Sequence, residues 1–149
     1  MTHTIDTARQ RNPMWIFEHN YAAMVSLVPD VCRGSDEIVL RSVRQDELRL
    51  RVLERTAYTL TVELIHRTER ASALIPDLVM GVRLYQDARL AEVLAYQRHR
   101  RFHPVYPYPN ENMYHPDEKR QANQLLSDLL RHFIACGYRY SDEFDVTSI

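Results

Sequence analysis

Apolar residues recur at helical spacing in two stretches of this chain and at every second position in the stretch between them. This pattern predicts a helix, an antiparallel sheet and a second helix, in that order. Asn12 can cap a helix with Pro13 in its first turn, and Met14, Phe17, Tyr21, Met24, Val25 and Val28 share one face of it before Pro29 ends it. Trp15, Ile16 and Leu27 lie off that stripe. The helix therefore carries more apolar surface than one buried face requires, and these three residues are candidate contacts for a partner. At Glu37 the period changes to two, and strands are predicted over 37–43, 47–55 and 58–67. Leu48, Leu50 and Val52 alternate with Arg49 and Arg51, and Leu60, Val62 and Leu64 alternate with Thr59, Thr61 and Glu63. Cross-strand pairing of these arginines with Glu63 is the expected role, in preference to RNA phosphates, because the face has no aromatic pair to stack bases.

A connection over 68–76 leads to a hairpin, 78–85 and 89–97, turning at Asp87-Ala88. Strand geometry then opposes Arg83 to Glu92, Tyr85 to Leu90 and Val82 to Val93. Met80, Val82, Leu84, Ala91, Val93 and Ala95 fall on one apolar face, and Arg83, Tyr85, Leu90, Glu92, Leu94 and Tyr96 fall on the other. The second face is neither plain core nor plain surface, which makes Arg83, Tyr85, Glu92 and Tyr96 candidate interaction residues. Residues 98–116 are held extended by Pro104, Pro107 and Pro109, with room for a short edge strand at their start. The last helix is predicted over 116–136, with Ala122, Leu125, Leu126, Leu129, Phe133 and Cys136 as its apolar stripe and Gly137 as a left-handed cap. Residues 1–11 read as a loose arm and 138–149 as an acidic tail with little to bury. The fold class is α+β in a single domain over 1–149. It has an N-terminal helix, a five-stranded antiparallel meander (six strands if the edge strand forms) and a long C-terminal helix packed on one sheet face.

Composition narrows the function more than it names one. The chain has 149 residues, 45% hydrophobic and 26% charged, enough for one buried core, and its net charge of −1 gives no field that would draw it to nucleic acid or an anionic membrane. Two widely separated cysteines, Cys32 and Cys136, and the lack of an apolar leader or spanning run predict a reduced, cytoplasmic protein. Three glycines, at 34, 81 and 137, leave no place for a Walker loop or a dinucleotide fingerprint. His99, His103 and His115 gather near the proline-tyrosine segment, but their spacings match no metal-ligand pattern. No metal and no cofactor are predicted. No serine sits in a nucleophile elbow, and neither cysteine has a base beside it in sequence.

Helical spacing singles out one polar location. Three or four residues before Ala122 and Leu125 lie Glu118 and Lys119, so the charged first turn of the last helix is expected to point coreward, under the segment bearing Tyr108 and Asn110. With Asn123, these residues form the candidate ligand-binding set: Tyr108, Asn110, Glu118, Lys119 and Asn123. Lys119 and Arg83 are the candidate anion contacts, although the hairpin register puts Arg83 on the other sheet face, where the two would not line one pocket.

The segments VRLYQDARLAEV and YPYPNENMYHPDEKRQANQLLSDLL with its closing glycine, together with Glu18, Asn20 and Leu27-Val28-Pro29, resemble the YqiB-like family of bacterial proteins of unknown function. The resemblance implies a small cytoplasmic protein and supplies no catalytic residue. The functional expectation is a noncatalytic interaction or regulatory module acting through contact with an unidentified protein, or as a homodimer. The alternative is a small-molecule binder or hydrolase, for a nucleotide or phosphorylated metabolite, with its site at the N-terminal end of the last helix.

Overall fold

The computed structural model describes residues 14–68, 78–98, 101–104 and 116–140. Helix α1 spans Trp15–Leu27 and a five-residue α2 spans Pro29–Arg33. Six strands follow as a meander: β1 Glu37–Arg41, β2 Glu47–Arg55, β3 Thr59–Arg67, β4 Leu78–Tyr85, β5 Leu90–Arg98 and β6 Arg101–Pro104. Helix α3, Pro116–Ala135, then leads to a two-residue strand β7, Arg139–Tyr140. The sheet order is β6-β5-β4-β3-β2-β1-β7, every pair antiparallel. The α+β class, the meander and the two flanking helices are as the pattern predicts, with the edge strand as the sixth member.

Sheet residues at alternating positions, Leu40, Leu48, Leu50, Leu60, Val62, Leu64, Met80, Val82, Leu84, Ala91 and Val93, form one buried core with Met24, Val28, Val31, Leu126, Leu130 and Phe133 from the helical side. The opposite face carries ion pairs: Arg49 to Glu37 at 2.6 Å, Arg41 to Glu47 at 3.1 Å and Arg51 to Glu63 at 3.3 Å. The Arg51–Glu63 pair is the one the alternation predicts, since the two residues are in register across β2 and β3. Arg49 is held instead by Glu37 and Glu47.

Two bulges separate the observed register from the simple alternation. In β2 the pairing passes from Val52↔Val62 to Glu54↔Thr61, leaving Leu53 as the extra residue. Strict alternation would turn Glu54 into the core and Arg55 away from it. The bulge reverses both, because one inserted residue exchanges the faces of everything after it. Leu53 is left 52% exposed, and Arg55 reaches the carbonyl oxygens of Val31 and Ser35 at 3.1–3.3 Å, at the end of α2. In β5, Val93 pairs with Val82 but Ala95 with Gly81, so Leu94 is the extra residue. Tyr96 therefore opposes Met80 and packs against the core, and Ala95 joins the polar face. This corrects the expected face for both residues. Arg83↔Glu92, Tyr85↔Leu90 and Val82↔Val93 lie before the bulge and pair as predicted.

Both helices depart from their predicted stripes for a common reason: polar residues occupy the centre of their contact. In α1 the fully buried residues are Asn20 and Met24, while Met14 is 42% exposed. Asn12 and Pro13 lie outside the described residues. In α3 the buried row is Ala122, Asn123, Leu126, Ser127, Leu130 and Phe133, so Leu125 and Leu129 flank it and Cys136 is exposed. The helix ends as Gly137 predicts. Gly137 adopts φ +69°, its N–H donates to the Ile134 carbonyl and the Tyr138 N–H donates to the Phe133 carbonyl, both at 3.2 Å, which is a Schellman closure. Its hydrophobic partner is an edge-on contact of Tyr138 with Phe133, ring centres 5.0 Å apart. Tyr138 is thus buried, its hydroxyl lies 2.9 Å from His66 Nε2, and Arg139 and Tyr140 pair with β1. The segment expected to be an acidic tail begins as part of the sheet.

The glycines make a testable contrast. Gly137→Ala should lower stability by about 1–2 kcal/mol, because a Cβ disfavours the left-handed conformation there. Gly81 has ordinary strand geometry, and a Cβ would meet only the Ala95 carbonyl at 3.9 Å. Gly81→Ala should therefore leave stability unchanged or raise it by about 0.5 kcal/mol, because alanine loses less chain entropy on folding. Urea unfolding of both variants measures the difference.

Candidate functional site

The described polar residues converge where α3 runs along the β5 side of the sheet. Among the described residues, β6 pairs with β5 from Arg98↔Arg101 to Ala95↔Pro104, and the Val93 N–H is met by Asn123 instead of by a strand. Asn123 Oδ1 accepts from the Val93 N–H at 3.0 Å, its Nδ2 donates to the Lys119 carbonyl at 2.8 Å, and its own carbonyl accepts from Asn20 Nδ2 at 3.0 Å. One buried residue thus joins the sheet margin through its side chain and α1 through its backbone carbonyl.

One turn earlier on α3, Lys119 reaches around the same margin. Its Nζ stands 3.4 Å from Glu92 Oε2 and 5.3 Å from the centre of the Phe17 ring on α1. The other oxygen of Glu92, Oε1, accepts a short hydrogen bond from the Tyr85 hydroxyl. Glu92 is only 16% exposed at its side chain, so the carboxylate is stabilised by protein partners, Lys119 and Tyr85 among them, more than by water. Tyr85 is pushed above the ordinary phenol value, first by burial and then by its bond to Glu92 and by that residue's negative charge, with Arg83 opposing the shift. It therefore stays a neutral donor at physiological pH. Arg83, opposite Glu92 in register, turns aside to donate from Nε to Thr61 Oγ1 at 3.2 Å.

This geometry revises the expected site. Lys119 and Arg83 do meet around one group of residues, because α3 follows the β5 margin and the lysine stem passes it to reach Glu92 on the polar face. Glu118 is exposed and does not point coreward. Asn123 is fully buried with both side-chain atoms committed inside the fold. Tyr108 and Asn110 lie outside the described residues, as do His99 and His115. Of the interaction candidates, Arg83, Tyr85 and Glu92 come together, Tyr96 turns to the core, and Trp15, Ile16 and Leu27 are partly exposed on α1, with Trp15 stacked on His19 at 5.1 Å. Sequence reasoning missed Asn20, Phe17 and Thr61 as members of this arrangement. It also missed a base for Cys136: His132, one turn earlier, places Nδ1 3.5 Å from the thiol sulfur, which the i, i+4 spacing alone gives away.

Residues 23–139 match the model of a family described as a protein of unknown function, DUF1249. The chain belongs to that family. It is 38% identical over 124 residues, 83% of this chain and 87% of the relative, to uncharacterized protein YqiB of Escherichia coli K12, and equally so to YqiB of the O6:H1 and O157:H7 strains. No solved structure matches the chain. The matched span of this DUF1249 member includes α3 and every residue of the Lys119–Glu92–Tyr85–Arg83 group. Among the described residues no helix is long and apolar enough to cross a membrane.

Asn123→Ala removes the acceptor for the Val93 N–H and leaves that donor buried beside an apolar methyl. It should cost about 2–3 kcal/mol, the scale of an orphaned buried donor together with a lost amide bond, measured as a fall in urea midpoint without a change in slope.

Proposed function

We propose that this DUF1249 protein is a noncatalytic cytoplasmic module that works by protein contact, and that its first contact surface is α1, joined across two copies of the chain. One observation carries this reading. The helix WIFEHNYAAMVSL has a single charged residue, Glu18, yet only Asn20 and Met24 are fully buried within the fold, leaving Ile16, Val25 and Leu27 partly exposed. An apolar strip with so little charge is complementary to itself, since a two-fold contact places the same surface on both sides. The alternative, a nucleotide or phosphorylated-metabolite site at the N-terminal end of α3 built on Tyr108, Asn110, Glu118, Lys119 and Asn123, has less support. Asn123 is spent inside the fold, Glu118 faces water, Lys119 reaches Glu92, and Tyr108 and Asn110 lie outside the described residues.

Light scattering on the purified chain tests the proposal. A mass twice 17.6 kDa at micromolar concentration is expected for the wild type. Ile16→Glu should weaken association by at least about tenfold, because a buried carboxylate is placed in the joined surface, with the helical circular-dichroism signal retained. A strictly monomeric wild type, or a dimer indifferent to Ile16→Glu, overturns it.

A further inference from the structure

We infer that the contact between α1 and α3 is a binding site for one buried water molecule, held by Asn20 Oδ1 and Ser127 Oγ. The site lies on the inner side of α1 and does not depend on the outer surface assigned to a second copy of the chain. Asn20 and Ser127 are both 0% exposed. The other buried polar residues meet protein partners: Ser42 accepts from the Asp46 N–H at 3.2 Å, Thr61 accepts from Arg83 at 3.2 Å, and Asn123 is bonded at both side-chain atoms. Asn20 Oδ1 and Ser127 Oγ have no such partner among the described residues, although Nδ2 of the same Asn20 amide is bonded.

Helical geometry brings these two atoms to one place. Asn20 Nδ2 donates to the Asn123 carbonyl at 3.0 Å, which sets the whole amide against that turn of α3. Ser127 stands four residues further along the same helix, and a helical serine carries its hydroxyl beside the carbonyl four residues before it. That carbonyl belongs to Asn123. It receives the Ser127 N–H through the helical ladder and the Asn20 amide from α1, so both its lone pairs are taken and the hydroxyl needs another partner.

The chemistry of the pair selects water. Asn20 Oδ1 can only accept, whereas Ser127 Oγ can donate and accept. A water that donates one proton to the amide oxygen and takes the serine proton on its own oxygen satisfies both. An anion would face the lone pairs of Asn20 Oδ1, and a calcium ion takes about six to eight oxygen ligands where two neutral ones are offered. Serine is also smaller than Leu126 and Leu130 beside it in the buried row of α3, so the row steps inward at that level. Left unpaired, each group would keep the full cost of its desolvation, which ordered water removes in protein interiors.

A high-resolution crystal structure of the full chain tests the assignment directly: an ordered water within hydrogen-bonding distance of both Asn20 Oδ1 and Ser127 Oγ is expected. In solution, oxygen-17 relaxation dispersion counts the long-lived waters held per chain, in whatever oligomer the chain forms. Ser127→Ala should lower that count by one with the helical circular-dichroism signal retained, because a methyl group offers the water no second anchor. Ser26→Ala, on the exposed side of α1, should leave the count unchanged. A crystal structure in which Ser127 Oγ bonds the Asn20 amide or the Asn123 carbonyl directly, or a folded Ser127→Ala with the count of the wild type, overturns the assignment.

Discussion

The arrangement of this molecule turns on one side chain, Asn123, which completes the hydrogen bonding of a strand margin from a helix. A sheet margin that ends in unpaired N–H groups is both a desolvation cost and an invitation to pair with another chain. Here the described part of β6 pairs with β5 only as far as Ala95, and the Asn123 side-chain oxygen accepts from Val93 beyond it. The same residue receives Asn20 from α1 at its backbone carbonyl. Both helices are therefore joined by polar contacts at this residue, with Ala122, Leu126, Leu130 and Phe133 supplying the apolar burial around it.

That placement decides what happens on the polar face. Because α3 follows the β5 margin, Lys119 can extend past it to Glu92 while its stem stays close to Phe17. Glu92 then bonds both Lys119 and Tyr85, and Arg83 bonds the hydroxyls of Thr61 and Tyr85. The rest of the face is self-neutralised by Arg–Glu pairs, most of them exposed and individually worth about 0–1 kcal/mol. The contact of Lys119 with Glu92 differs from these pairs in that its cation comes from a helix on the opposite side of the sheet.

The bulges show the same economy in the backbone. At Leu53 the inserted residue keeps Glu54 from the core and turns Arg55 to the carbonyls that close α2. At Leu94 it brings Tyr96 inward over Met80 and lowers the polar face at Ala95. In each case one apolar residue without a cross-strand partner lets both neighbours take faces that suit their chemistry.

Period and punctuation determined the elements: alternating residues over 37–67 and 78–97 impose strands, Pro29 ends one helix, and Gly137 ends the other because only its left-handed backbone closes the final turn without strain. The hairpin register near Asp87 followed from the same local rules, and so did the pairing of Arg51 with Glu63. Tertiary structure alone decided the faces beyond each bulge, since a single inserted residue leaves no mark in an alternation of leucines and valines. It also decided the burial of Asn20 and Asn123, which depends on α3 meeting both β5 and α1, and the burial of Tyr138, which depends on Phe133 and His66 arriving beside it. Lys119 and Arg83 share one site for the same reason: whether a helix lies over the middle of a sheet or along its margin is set by long-range packing, and no spacing within either segment carries that information.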